Sequence, residues 1–236
     1  MTQFAFPPHP QPSVAIAGST DRFPVRRIFC VGRNYAAHAR EMGKDPDREP
    51  PFFFAKPADA VVDSGARVPY PPQTHDLHHE IELVLAIGTG GADIAPDAVA
   101  GHLWGATVGN DLTRRDLQNA AKQLGQPWDM AKGFDNSAII APLVPISRVS
   151  SLAQGRIWLA VNGALRQEAD LSDLIWPVGQ LVAILSGLIR LERGDLVMTG
   201  TPAGVGPVVP GDLITGGIDG LAAISTLIAP PRSAAD

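Results

Sequence analysis

From Glu80 to Ile87 the chain alternates: Ile81, Leu83, Leu85 and Ile87 point to one side, and Glu80, Glu82, Val84 and Ala86 to the other. A period of two with β-branched residues predicts a strand, half-buried because acids share its second face. Arg156 to Glu168 predicts a hairpin, since Asn162-Gly163 separates two β-prone runs and both residues accept the positive φ of a type I′ turn. Further strands are expected over Ala106 to Asn110, over Leu196 to Thr199, and in a stretch running to Ile228.

Helical patterns are fewer. Tyr35 to Met42 reads as a short helix stopped by Gly43, with His38 and Glu41 three apart on one face. Pro96 to Trp104 carries Pro in its first turn and Gly105 after its end. Thr113 reads as the N-cap of a helix with Leu117, Ala121 and Leu124 on one stripe, Arg115 and Gln118 on another face, and Gly125 and Pro127 at its end. Pro177 opens a last helix with Leu181, Val182, Leu185, Leu188 and Ile189 on one side, stopping near Gly194. Strands outnumber helices without a βαβα rhythm, so the expected class is α+β with a mixed sheet. Residues 1 to about 24, rich in Pro and without periodicity, read as an N-terminal arm; residues 25–230 read as a single domain.

Composition narrows the function classes. Glycine (24) and proline (22) make about a fifth of the 236 residues, against roughly 12% in an average chain, which implies many turns. The net charge is −5 and no basic stripe occurs, so nucleic acid is disfavoured as a partner. One cysteine, Cys30, allows no intramolecular disulfide and no multi-cysteine zinc site, as expected of a reducing cytoplasm. The first residues lack a secretory pattern. The longest apolar stretch, Leu181 to Leu191, is broken by Ser186, Gly187 and Arg190 and falls far short of the ~20 residues of a membrane span. The expectation is a soluble, cytoplasmic protein.

The segment His78-His79-Glu80-Ile81-Glu82 carries the most unusual chemistry, with two carboxylates side by side on one strand face. They are either a solvated face or ligands of a hard dication such as Mg²⁺ or Mn²⁺, with Asp111 as a third oxygen donor. Zinc stays open as a weaker alternative, because His78 has the same parity and His75 is close. His38 and Glu41 are either a surface pair or a base with its orienting carboxylate. Lys132, among apolar and glycine neighbours, reads as a partly buried ammonium. Arg33, Arg115 and Gln118 are candidates for holding a carboxylate or carbonyl, and each is equally plausible as a structural donor. Gly200 to Gly206 is neither a P-loop nor GxGxxG, so phosphate binding is a poor expectation. A non-catalytic scaffold is the competing reading of the whole set.

Six motifs in fixed order carry a resemblance: FCVGRNYAAHAREMG at 29–43, PFFFAKPADAVV at 51–62, DLHHEIELVLAIG at 76–88, GNDLTRRDLQ at 109–118, PWDMAKGFDNSA at 127–138 and GDLVMTGTPAGVGP at 194–207. Together, over about residues 27 to 221, they resemble the fumarylacetoacetate hydrolase family, in particular its small fumarylpyruvate and acylpyruvate hydrolase branch. The resemblance implies a mixed sheet rolled into a barrel-like body, usually a homodimer. It implies Glu80, Glu82 and Asp111 as ligands of Mg²⁺ or Mn²⁺, and His38 with Glu41 as a water-activating dyad on a segment that closes over substrate. Lys132 would stabilise negative charge, with Arg115 and Gln118 beside the substrate and Thr201 on its carboxylate. The implied substrate is a 2,4-dioxo acid, with fumarylpyruvate of gentisate breakdown as first choice. Acylpyruvate hydrolysis, oxaloacetate decarboxylation and dienoate isomerisation are alternatives at the same site. Fumarylpyruvate has a second carboxylate, for which Arg114 or Lys122 is the candidate cation.

Overall fold

The computed structural model describes residues 3–41 and 50–232, with the side chains of 39–41 left out. Its centre is an eight-stranded mixed sheet ordered Phe52–Lys56, Arg27–Gly32, Asp195–Met198, Ile81–Ile87, Leu103–Asp111, Ala138–Ile140 and Val61–Asp63, with Val144–Pro145 also paired to Leu103–Asp111. A five-stranded sheet, Ala164–Asp170, Arg156–Val161, Leu213–Ile218, Ile224–Ala229 and Arg67–Pro69, packs against it. Few helices accompany these sheets: the class is α+β, as the strand-rich pattern predicts, and the curled, half-barrel sheet is what the family resemblance implies.

Ile81, Leu83, Leu85 and Ile87 enter the core shared with Leu159 and Ile214 of the five-stranded sheet. The opposite parity, Val84 and Ala86, enters a second core with Ile28, Cys30, Ile140 and Met198. Every residue of Ile81–Ile87 is therefore buried, which corrects the half-buried expectation. The second face is closed partly by a hairpin, Ser13–Ala15 with Arg22–Pro24, whose Val14 and Phe23 are buried in that core. The segment expected to be an arm thus contains a strand pair that its local pattern does not reveal.

Other boundaries also move. Pro96 to Trp104 is not a helix: a short 3₁₀ turn, Val99–His102, leads into a nine-residue strand, Leu103–Asp111. Pairing of Leu103 with Ile87 captures the end of the segment for the sheet. Thr113 is not an N-cap but pairs with His78 in a strand, and the helix Arg115–Leu124 starts two residues later. That helix buries Arg115, Gln118 and Ala121 and leaves Leu124 69% exposed, so its inward face is the polar one. The last helix is Val178–Leu188 and stops short of Gly194, with Leu188 71% exposed. The hairpin is as predicted: Asn162 and Gly163 have φ of 51° and 79° between Arg156–Val161 and Ala164–Asp170. The short helix Ala36–Glu41 matches its pattern, and its expected stop at Gly43 lies outside the described residues. No helix among the described residues is long and apolar enough to cross a membrane.

Candidate active site

Strand register builds the acidic cluster. Glu82 shares the second face with Val84 and Ala86, at the end of the strand where the core gives way to a recess. On the neighbouring strand Glu82 pairs with Gly109, and the Asp111 amide donates to the Glu80 carbonyl at 2.8 Å. Oxygens of Glu80, Glu82 and Asp111 consequently lie within 4.8 Å of one another, all three side chains buried. The alternative of a solvated acidic face is excluded by that burial.

Three buried carboxylates repel, and cations offset the repulsion. The Lys132 ammonium donates to Glu80 Oε2 and to Asp111 Oδ2, both at 2.7 Å, and Lys56 Nζ lies 2.7 Å from Asp111 Oδ1. Arg115 donates to Glu80 Oε1. Burial works against the charge on Glu80, but Lys132 and Arg115 outweigh it and hold the carboxyl well below its usual range. Burial likewise opposes charge on Lys132, and Asp111 and Glu80 outweigh it, so the ammonium is held more firmly than usual. Lys132 is thus wholly rather than partly buried.

Glu82 is different. Its carboxylate accepts from the Gly200 amide at 2.7 Å, and among the described residues no cation forms an ion pair with it. Burial, then the charges of Asp111 and Glu80, push its pKa well up. Gly200 makes this contact at φ +96°, where a Cβ would stand 2.8 Å from Asn34 Cβ, so the turn after Asp195–Met198 requires glycine here. An all-oxygen donor set with one carboxylate lacking a cation fits a hard divalent ion of the Mg²⁺ or Mn²⁺ kind.

The histidine alternative does not assemble. His78 Nδ1 accepts from Arg115 Nε at 3.3 Å, leaving Nε2–H to donate to Asp76 at 2.9 Å. His79 bonds Gln167, and the His75 amide donates to Asp116. Among the described residues only the three carboxylates form a metal-binding group.

The recess beside the acids opens to solvent and brings together Arg33, His38, Arg115, Gln118, Lys132 and Thr201, the predicted site residues with described side chains outside the acid cluster. The side chain of Glu41 lies outside the described residues. Arg33 stands at φ 63° with its guanidinium 5.2 Å from the Phe52 ring centre. Arg115 Nη1 donates to Gln118 Oε1 at 2.5 Å, which leaves the Gln118 amide nitrogen as a donor toward the recess. Lys122 also lines the recess, whereas Arg114 stacks 4.4 Å from the Phe134 ring centre and lines a separate cavity near Pro69 to Pro72.

Two buried polar residues at the site carry no local sequence signal. Lys56 lies within a phenylalanine run, and only its place in the PFFFAKPADAVV motif marks it. Gln167 is the one fully buried residue of Ala164–Asp170, at a register shift between Leu159 and Ala160. Its Oε1 accepts from the Ile81 amide at 3.1 Å and from His79 Nδ1 at 2.9 Å. Its Nε2 donates to the Pro202 carbonyl at 2.9 Å and to Thr201 Oγ1 at 2.7 Å.

Residues 27–229 match the family described as fumarylacetoacetate (FAA) hydrolase C-terminal. The chain is 43% identical over 191 residues to a fumarylpyruvate hydrolase from Ralstonia sp, covering 80% of this chain and 99% of that one. It is 40% identical over 197 residues to a mitochondrial oxaloacetate decarboxylase from Dictyostelium discoideum, covering 83% and 90%. The crystal structure of fumarylpyruvate hydrolase from Pseudomonas aeruginosa in complex with Mn²⁺ and pyruvate superposes with a TM-score of 0.94 at 51% identity, covering 97% of this chain and 100% of that one. Sequence, fold and the buried carboxylate cluster agree: the chain belongs to the fumarylacetoacetate hydrolase C-terminal family and is an enzyme of that family.

Proposed function

We propose that the chain hydrolyses a carbon–carbon bond in a 2,4-dioxo acid, with fumarylpyruvate giving fumarate and pyruvate. The observation that carries this reading is the recess itself, where a buried acidic cluster meets Arg33, Arg115, Lys122 and Lys132. A cation-rich recess around one acidic cluster suits a substrate with two carboxylates. The relatives named for fumarylpyruvate hydrolysis support the same choice.

Glu80, Glu82 and Asp111 would hold Mg²⁺ or Mn²⁺, which when bound supplies a Lewis acid for the oxygens of the pyruvyl end. Thr201 would donate to the substrate carboxylate, because Gln167 Nε2 already fills its acceptor side and frees its O–H to point elsewhere. Gln118 would donate its amide to a carbonyl. His38 would take a proton from water, Glu41 orienting the ring, and the resulting hydroxide would add to the distal carbonyl. The bond between that carbon and the methylene then breaks, its electron pair passing to the pyruvyl unit as an enolate. Protonation of that carbon completes pyruvate, and the attacked carbon leaves as the new carboxylate of fumarate. Lys132 has three N–H groups; Glu80 and Asp111 use two, and the third would meet the oxyanion at the attacked carbon.

The residue span 25–230 would be the catalytic unit behind an N-terminal arm. A cytoplasmic homodimer acting in gentisate breakdown completes the reading, on the strength of the family resemblance. A second reading, oxaloacetate decarboxylation, is favoured by the Dictyostelium relative and uses the same acids without a water nucleophile. Turnover in ¹⁸O-water separates them. One labelled oxygen in the fumarate carboxylate, with fumarate and pyruvate in equal amounts, is the expected result; release of CO₂ from oxaloacetate without cleavage of fumarylpyruvate would overturn the proposal.

A further inference from the structure

Lys122 lies four residues after Gln118 and seven after Arg115, so all three share the inward face of the helix Arg115–Leu124. Arg115 is bound to Glu80 beside the acids, and Lys122 stands about 10 Å farther along the helix at ~1.5 Å per residue. Its ammonium lies 5.1 Å from the ring centre of Trp128, which Phe52 holds edge-on at 5.0 Å. Among the described residues no carboxylate pairs with it.

A cation that faces this recess across an aromatic ring and pairs with no carboxylate of its own is a receptor for an anionic group of the ligand. Building on the dioxo-acid reading, we infer that Lys122 on Trp128 forms the subsite for the second carboxylate of a long dicarboxylic substrate. The terminal carbons of fumarylpyruvate are six bonds apart, about 7 Å when extended, whereas those of oxaloacetate are three bonds apart, about 4 Å. With one end held at the acids, the longer diacid extends about 3 Å farther toward Lys122 than the shorter one. Burial, then Arg115 and Arg33, lower the Lys122 pKa to about 8, with Glu80 offsetting them only in part.

The test compares kcat/KM for fumarylpyruvate with that for acetylpyruvate, which lacks the second carboxylate, in the Mn²⁺-loaded wild-type enzyme and in Lys122→Met and Lys122→Arg. The Met variant should lose about tenfold to a hundredfold of the fumarylpyruvate preference, mainly through KM, and the Arg variant should recover most of it. Should the Met variant not fold, Lys122→Gln reads the same ratio. A ratio within twofold of wild type in the uncharged variant overturns the subsite. Failure of the wild-type enzyme to cleave fumarylpyruvate overturns the proposed function instead, before any variant is read.

Discussion

Gln167 Nε2 donates to Thr201 Oγ1 at 2.7 Å, and the direction of that bond is fixed. The Ile81 amide can only donate and the Pro202 carbonyl can only accept, so the Gln167 amide has one orientation. The Thr201 hydroxyl therefore accepts from Gln167 and keeps its own proton for a ligand.

Gln167→Met should accordingly raise KM for the dioxo acid by about tenfold, as Thr201→Val should. A double-mutant cycle on KM checks the connection: the Met substitution should add little in the Thr201→Val background. Full additivity would show that Gln167 acts elsewhere. The Met variant also leaves the Ile81 amide and the Pro202 carbonyl unpaired in the core, so Tm should fall.

Glu82 is the acid most strained by its neighbours in the absence of a cation, since burial and two carboxylates oppose its ionisation. Glu82→Gln should raise Tm of the metal-free protein. The same variant should lose most of the stabilisation that Mn²⁺ gives wild type, which amounts to about 2.7 kcal/mol at a hundredfold excess over Kd. Calorimetry with and without Mn²⁺ reads both signs.

Lys132 sits between two proposed ligands, so Lys132→Met separates metal binding from chemistry. Removing a positive charge from the acids should leave Mn²⁺ binding as tight or tighter. Loss of the N–H proposed to meet the oxyanion should lower kcat by about a hundredfold to a thousandfold. Titration calorimetry alongside steady-state kinetics checks the opposite directions.

The pH profile should carry the mark of Lys122, whose pKa is lowered from its ordinary 10.5 to about 8. The inferred subsite needs its charge for the second carboxylate, so kcat/KM for fumarylpyruvate should decline above about pH 8, and in Lys122→Arg that limb should move upward. The stability contribution has the opposite sign. The unfolded chain holds this proton more tightly than the folded one, so the contribution of Lys122 to stability rises with pH between these two values.

The alternation Ile81 to Ile87 made Glu80 and Glu82 visible from sequence, and Asp111 followed from the next strand. The burial of the two glutamates is not visible, because the groups packed on them, Arg115, Lys132 and Gly200, stand more than thirty residues away in the chain. Helix Arg115–Leu124 misled for a related reason: its Leu117, Ala121, Leu124 stripe looked like a core face, yet Arg115 and Gln118 turn inward because the recess, and not the core, lies there. Gln167 was hidden because its strand is otherwise exposed or half-buried, and only the register shift at Leu159 and Ala160 turns it inside. Local pattern carried the elements and the acids; packing between distant segments decided which polar groups became a site.

Parallel kcat/KM values for fumarylpyruvate, acetylpyruvate and oxaloacetate with Mn²⁺ test the proposed dication-dependent cleavage of a long dioxo diacid. The predicted result is the highest value for fumarylpyruvate, with fumarate and pyruvate formed in equal amounts and activity lost on chelation. Preference for oxaloacetate with fumarylpyruvate left intact would contradict it.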